Sequence, residues 1–158
     1  MKNEYNKELS NIYNKLNSTE KYAKEVEYLS KFLDKKCKIL DVGCGTGIHI
    51  YLLENLGHQC VGIDRSPDMI SVAIKNNKTE ATFLNVEVQD FQTPERFDLC
   101  ISLFNVVNHI LELKPLEIFF ESIYKKLKKD GMLIFDCFNN VAVLKDTPKL
   151  KVSGKIKI

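Results

Sequence analysis

The sequence lacks the features that mark membrane-spanning, secreted and disordered proteins. Its first twenty residues contain no apolar segment, and no stretch approaches the roughly 20 apolar residues needed to cross a bilayer. Only 7 glycines and 4 prolines occur among 158 residues, of which 44% are hydrophobic and 28% charged, and this excludes a disordered or collagen-like chain. We therefore expect a single cytoplasmic domain over residues 1–158, with no membrane partner.

Cysteine is present in a pattern that favours neither disulfides nor zinc. The number is odd, and no two cysteines have the CxxC spacing. The sequence thus predicts reduced, mostly buried thiols and no metal site. The five cysteines are Cys37, Cys44, Cys60, Cys100 and Cys137.

Excess positive charge is also absent from the main part of the chain. The formal net charge is +2, but residues 141–158 carry five lysines and one aspartate, so residues 1–140 carry a net charge of −2. A nucleic-acid-binding surface normally needs a basic patch. We therefore expect no nucleic-acid partner.

From residue 38 onwards, short β-rich segments alternate with helical patterns. Alternation of this kind predicts an α/β fold, here a Rossmann-like, doubly wound and mostly parallel sheet in three αβα layers. The last strand is apolar nearly throughout, as expected of a central strand. Strands are predicted at 38–42, 59–63, 81–86, 97–103 and 132–138, and helices at 47–56, 66–77 and 115–129, the last of these stopped by Asp130-Gly131.

The two ends of the chain have different patterns. Residues 1–36 are predicted to form an N-terminal helical cap, because apolar residues recur at helical spacing between residues 5 and 33. Residues 37–138 form the predicted core. Residues 139–158 form a short tail, whose last nine residues alternate apolar and lysine side chains as an edge strand would.

A glycine-rich turn follows the first predicted strand. Gly43, Gly45 and Gly47 stand at alternate positions, where glycine permits positive φ and lets a ligand approach the backbone with no Cβ in the way. The second strand ends at Asp64, about twenty residues later, where an α/β sheet places an acceptor for two ribose hydroxyls. Together they predict a cofactor that contains a nucleoside.

The glycine spacing discriminates between two such cofactors. A dinucleotide loop has the pattern G-x-G-x-x-G, but the sixth position counted from Gly43 is Ile48, and the third glycine comes one residue early. Asp41 would repel a pyrophosphate, whereas it would help to hold a ligand with ammonium and sulfonium charges. An NAD-dependent oxidoreductase is therefore disfavoured.

The segments ILDVGCGTG and VGIDRSPDMI resemble motifs I and II of the class I S-adenosylmethionine-dependent methyltransferases, of the methyltransferase domain 25/11 type. Three later segments, 88–91, 97–102 and 127–133, fit the family in order, so that the resemblance covers about residues 20–140. It implies S-adenosylmethionine as cofactor and S-adenosylhomocysteine as product.

The resemblance also implies roles for individual residues of the glycine loop and of the strand ends. Asp41 would lie near the amino end of the cofactor, and Asp64 would bind both ribose hydroxyls. Asp90 would face the adenine edge. The remaining implied contacts are the loop residues Gly43, Cys44, Gly45 and Gly47 along the methionine part, Arg65 beside the ribose acceptor, Met69 and Phe91 on the adenine ring, and Leu103 with Phe104 beneath the sulfonium.

Two tyrosines have two interpretations each, and one histidine is a candidate catalytic residue. Tyr13 and Tyr22 either pack a helix onto the sheet edge or close over the cofactor, as N-terminal aromatic residues do in similar small-molecule methyltransferases. His109 follows the fourth strand and is the candidate catalytic general base for an amine or hydroxyl acceptor. The other two histidines are predicted to be structural, His49 at the loop–helix junction and His58 on the surface.

The methyl acceptor is predicted to be a small molecule. Family members that methylate base amines typically have an Asp/Asn-Pro-Pro-Tyr/Phe tetrapeptide after strand 4, where this sequence has Ser102-Leu103-Phe104-Asn105. The overall sequence pattern resembles that of small-molecule N- or O-methyltransferases, among which the amino-sugar N-methyltransferases have a close pattern.

The sequence departs from the family at its C-terminal end. The family's sixth and seventh strands form a hairpin after a further helix, and the twenty residues after Phe138 are too few for these elements. We therefore expect a sheet that lacks most or all of this hairpin. Either the chain is a fragment or truncated product, or a second copy covers the open side of strand 5 in a homodimer. The alternative function is a truncated or catalytically weak cofactor-binding domain that acts as an interaction partner.

Overall fold

The computed structural model describes residues 19–76 and 78–138, which form a parallel five-stranded sheet. The strand order is β3-β2-β1-β4-β5, with every neighbouring pair parallel. The chain winds outward from β1 in one direction and then from β4 in the other, which confirms the predicted doubly wound fold. The strands are β1 (Lys38–Val42), β2 (Gln59–Asp64), β3 (Thr82–Asn85), β4 (Phe97–Ser102) and β5 (Leu127–Phe135).

Helices connect the strands and begin and end at recognisable residues. The hydroxyl of Ser66 accepts the N–H of Met69 at 3.3 Å, so the predicted cap before Pro67 is confirmed. Gly57, with φ +89°, follows the second helix and permits the turn into β2. The helices are α1 (Thr19–Ser30), α2 (Ile48–Asn55), α3 (Pro67–Asn76) and α4 (Leu113–Tyr124), with a 3₁₀ turn at Val106–His109.

Two apolar clusters on opposite faces of the sheet give the fold its three layers. Ile39 of β1 belongs to the cluster that includes Leu29 of α1 and Leu53 of α2. Leu40 of β1 belongs to the cluster that includes Phe119 of α4. Successive strand residues point to opposite faces, and each fully buried side chain of this size contributes roughly 1.5–3 kcal/mol. The predicted αβα arrangement is therefore confirmed.

The end of α4 differs from the prediction of a helix over residues 115–129. The helix ends at Tyr124, and β5 begins at Leu127. The carbonyl of Lys126 accepts the N–H of Phe97 at 2.9 Å, so the chain joins the sheet before the predicted stop at residues 130–131. Asp130 instead lies within β5 with φ +65°, where the pairing of β5 with β4 is irregular.

The prediction that β5 is a central strand is wrong for the residues that the structure describes. Within them β5 pairs with β4 alone, and Met132 and Phe135 are 41% and 42% exposed. The predicted helix before residue 19 and the predicted strand in residues 150–158 lie outside the described residues. Dimerisation through the β5 edge stays a prediction.

The cysteines agree with their predicted state. All five are free, and four of them are buried, whereas Cys137 is exposed. Among the helices of the described residues, none has both the length and the apolar character that a bilayer crossing needs. Within 19–76 and 78–138 there is no cluster of three side chains suited to hold a metal ion.

Replacing Gly62 with alanine is expected to lower the free energy of unfolding by about 1–3 kcal/mol, because the added methyl group would overpack the site. The added Cβ would overlap Cδ1 of Ile50 and lie 2.9 Å from Sγ of Cys44. Urea denaturation measures the loss. A second change, Ile50→Val, removes the nearest atom and should restore part of the stability lost by Gly62→Ala, whereas an additive loss in the double variant would contradict this account.

Candidate functional site

The glycine loop is bound to the neighbouring strand at the carboxyl end of the sheet. The N–H groups of Gly43 and Cys44 both donate to the carbonyl of Ile63, at 2.8 and 3.0 Å. Gly43, Gly45 and Gly47 have φ of +79°, +54° and +77°, a region that side chains other than glycine adopt only with strain. The local sequence therefore determines the shape of this loop.

Asp64 lies directly against the loop. Its Oδ2 accepts the N–H of Gly45, and its Oδ1 accepts the N–H of Ser66, each at 2.8 Å. Burial raises the pKa of Asp64, while the two N–H donors oppose that rise. Each carboxylate oxygen has a second lone pair, so both oxygens retain the capacity to accept a hydroxyl. The structure thus brings together the two motifs that the sequence separated by about twenty residues.

Two of the loop glycines are needed for different reasons. A Cβ at Gly43 would lie 2.5 Å from Cγ2 of Val106, so this position is filled by the protein itself. A Cβ at Gly45 would meet no atom within 4 Å. The space over Gly45 is therefore open to a ligand that approaches the backbone.

Asp41, at the end of β1, is a buried carboxyl group with an unsatisfied oxygen. Its side chain is 2% exposed, and Oδ2 has no hydrogen-bond partner among the described residues. Burial raises the pKa of Asp41 to about 7, Asp64 adds to the rise, and His49 opposes it. An isolated buried carboxylate is unfavourable, so a cationic ligand group beside it would satisfy both the charge and the free oxygen.

A cluster of two buried rings, Tyr22 and His49, with the half-buried ring of Phe104 lies next to the glycine loop, at the start of α2. His49 forms a 2.9 Å hydrogen bond to Glu25 through Nε2, and its ring centroid lies 4.9 Å from that of Tyr22 and 5.5 Å from that of Phe104. The sequence interpretation missed His49 as a site residue. Its place two residues after Gly47, in the first turn of α2, was the available signal.

The segment after β4 has an unusual backbone. Phe104 and Asn105 are both left-handed, with φ of +62° and +61°. Their N–H groups donate to the two carboxylate oxygens of Asp136, at 2.9 and 2.5 Å. The role of Asp136 is not visible in the sequence, because its partners lie about thirty residues earlier in the chain.

The other predicted site residues differ in how far they are buried. Met69 is buried in the first turn of α3, and Phe91 is buried in the cluster that α4 covers. Leu103 is half-buried against the opposite cluster. Asp90 and Arg65 are exposed.

The remaining residues singled out in the sequence are two histidines, a tyrosine and a cysteine. His109 is exposed at the end of the 3₁₀ turn, and Tyr13 lies outside the described residues. Burial raises the pKa of the Cys44 thiol, so this side chain is a neutral group at ordinary pH. His58, predicted at the surface, is half-buried and accepts the N–H of Cys37 at 3.2 Å.

Two open depressions of about 530 and 540 Å³ lie at the opposite, amino-terminal edge of the sheet. Both are lined by Lys38, Gln59 and Glu95, and neither contains a predicted site residue. Open α/β sheets bind ligands outside the carboxyl ends of their strands. The candidate site is therefore the region around the glycine loop and Asp64.

Comparison with known proteins gives the family. The family described as methyltransferase domain matches residues 39–131, which is more than half of the chain. The bovine (Bos taurus) 18S rRNA (guanine-N(7))-methyltransferase is 34% identical over 113 residues, covering 66% of this chain and 40% of that protein. The Streptomyces fradiae dTDP-3-amino-3,6-dideoxy-alpha-D-glucopyranose N,N-dimethyltransferase is 26% identical over 102 residues, covering 65% and 40%.

A solved structure has the same fold. The structure of SAM-bound CalS10, an amino pentose methyltransferase from Micromonospora echinaspora, matches with a TM-score of 0.68 at 18% identity, over 85% of this chain and 57% of that one. The chain thus spans about half the length of the proteins it matches. It belongs to the methyltransferase domain family, within the class I S-adenosylmethionine-dependent methyltransferases.

Proposed function

We propose that this chain binds S-adenosylmethionine and transfers the methyl group to a nitrogen or oxygen atom of a small molecule. The observation that carries the proposal is the contact of the Asp64 carboxylate with the N–H of Gly45, at 2.8 Å. It supports a role for Asp64 as ribose acceptor, because the space over Gly45 beside it is open. The cofactor supplies a methyl group already activated on sulfonium.

The residues fit the charges and hydroxyls of this cofactor. Asp41 is buried and has an oxygen without a partner among the described residues, which suits the ammonium group at the methionine end. Asp64 would accept the two ribose hydroxyls through its remaining lone pairs. Because Gly45 has no side chain, the part of the cofactor between these two ends can approach the backbone closely.

The chain's own contribution to the transfer is to align the acceptor and exclude water. The rings of Tyr22, His49 and Phe104 form an aromatic wall beside the loop. His109, exposed after β4, is proposed to take the proton from an amine or hydroxyl acceptor. Few other side chains are required, because displacement at a sulfonium needs mainly geometry.

Two features favour a small acceptor over RNA, although one relative named above acts on 18S rRNA. Residues 1–140 carry a net charge of −2, whereas RNA binding normally relies on basic patches. The segment Ser102-Leu103-Phe104-Asn105 also lacks the two prolines of base-amine methyltransferases, which disfavours the exocyclic amine of a base as acceptor. An amino-sugar relative supports the same choice.

A transfer assay with tritium-labelled S-adenosylmethionine tests this proposal. We expect label to enter amino sugars or phenols and not ribosomal RNA, and we expect Asp64→Ala protein to transfer none. Label found in ribosomal RNA alone would overturn the choice of acceptor. Binding of S-adenosylhomocysteine without transfer to either class would favour a binding domain that acts through a partner.

A further inference from the structure

The turn after β4 is held by one carboxylate. Asp136 follows the last residue of β5, and its two oxygens accept the successive N–H groups of Phe104 and Asn105. Both of these residues are left-handed, a region that asparagine tolerates but phenylalanine rarely adopts. The surrounding structure must therefore stabilise the turn, and Asp136 supplies the contact that does so.

The same turn forms part of the candidate site on two sides. The ring of Phe104 packs against Tyr22, with centroids 5.0 Å apart, and Lys21 Nζ lies 4.1 Å from its centroid. Val106, two residues later, occupies the space where Gly43 would carry a Cβ. A change in the turn would therefore move both the aromatic wall and the side chain that touches the glycine loop.

We propose that Asp136 is a positioning residue for the methyl-transfer site, because its carboxylate holds the left-handed turn that places Phe104 in the aromatic wall and Val106 against Gly43. The inference rests on the proposed function. Asp136 makes no contact with the glycine loop in its own hydrogen bonds, which go to Phe104, Asn105 and Ser102. It acts through the turn.

A carboxylate suits this role because it accepts at both oxygens. In Asp136→Asn one oxygen becomes an NH₂ group, which cannot accept an N–H and faces a donor with another donor. The turn then loses one of its two bonds while its positive φ values keep their strain. We expect the turn to leave the left-handed region.

Titration calorimetry with S-adenosylhomocysteine as the probe tests the inference in the full chain. Asp136→Asn should weaken binding about 10- to 100-fold, the loss expected when a wall of the site is misplaced. Adding Asn105→Gly should restore part of the affinity, since glycine adopts positive φ without strain. A merely destabilised protein would gain no affinity from this glycine.

Asp98→Asn is the matched control. Asp98 is also a carboxylate that accepts a backbone N–H, that of Lys38 at 2.8 Å, and it pairs with Lys128 at the opposite edge of the sheet. We expect this variant to lose stability and keep its affinity. Equal loss of affinity in Asp98→Asn and Asp136→Asn, full affinity in Asp136→Asn, or no recovery with Asn105→Gly would each overturn the inference.

A second measurement separates the inference from the proposed function. The three-bond H–N–Hα couplings of residues 104 and 105, read together with their intraresidue H–N–Hα Overhauser effects, report their φ angles by NMR without any ligand. We expect left-handed values in the wild type and extended or right-handed values in Asp136→Asn. Unchanged couplings would overturn the role of Asp136, whereas changed couplings in a wild type that does not bind S-adenosylhomocysteine would mean that the proposed function has failed and the role in methyl transfer with it.

Discussion

Asp64→Ala is expected to weaken the binding of S-adenosylhomocysteine at least about 100-fold, because it removes both acceptors for the ribose hydroxyls. A hydrogen bond to a charged group contributes about 1.5–3 kcal/mol, and each 1.4 kcal/mol changes affinity about tenfold. The substitution also releases the N–H of Gly45, which Asp64 holds at 2.8 Å. Titration calorimetry on the wild type and the variant measures the ratio.

Asp98→Ala is the control for this experiment, since it removes a carboxylate from the other edge of the sheet. Asp98 accepts the N–H of Lys38, and its side chain is half-buried. We expect unchanged affinity in this variant. A loss of less than about threefold in Asp64→Ala, small on the scale of one hydrogen bond, would show that Asp64 serves only to hold the loop.

The free energy of unfolding of the ligand-free protein should fall as the pH rises, because Asp41 must ionise inside the fold. Burial raises the pKa of Asp41 from 3.8 to about 7. The folded state therefore holds this proton more tightly than the unfolded chain does, so the contribution is full below about pH 4 and is lost as the pH rises to about 7. Denaturant unfolding at pH 5 and pH 8 should differ by about 2–3 kcal/mol from this group.

The same ionisation should make ligand binding dependent on pH. The groups whose charges act on Asp41 are His49, which favours its ionised form, and Asp64, which opposes it. Because the ammonium group of S-adenosylhomocysteine requires the ionised form, affinity should rise about tenfold from pH 6 to pH 8. Calorimetry at both pH values measures this change.

Asp41→Asn separates this effect from other titrations. Burial lowers the pKa of His58, and this changes stability in the opposite direction, with stability lost as the pH falls. The difference between the wild type and Asp41→Asn removes that contribution. A stability difference that does not vary with pH between the two proteins would contradict the assignment to Asp41.

The glycine loop and Asp64 could be predicted from the sequence because their signals are local. Alternate glycines are required by three positive φ values in one short loop, and a parallel neighbour brings the end of β2 beside it. The strand order follows from the same alternation of elements. These features need no knowledge of distant side chains.

The aromatic wall and the left-handed turn held by Asp136 could not be predicted in this way. Tyr22, His49 and Phe104 come from three separated elements, and nothing in the residue type marks Phe104 as left-handed. The helix predicted over residues 115–129 extends too far, because Leu127 continues the helical spacing of Phe119, Phe120 and Ile123. In the structure Leu127 is the first residue of β5 and pairs with β4. Tertiary pairing decided that boundary.

An amide NMR titration of the chain with S-adenosylhomocysteine tests whether the glycine loop and Asp64 together form one binding site for an adenosyl ligand. We predict the largest shifts at Gly45 and Ser66, whose N–H groups are bonded to Asp64, and at Gly43 and Gly47. Shifts confined to Lys38, Gln59 and the other residues of the opposite edge, or no shifts in the folded protein, would contradict the account.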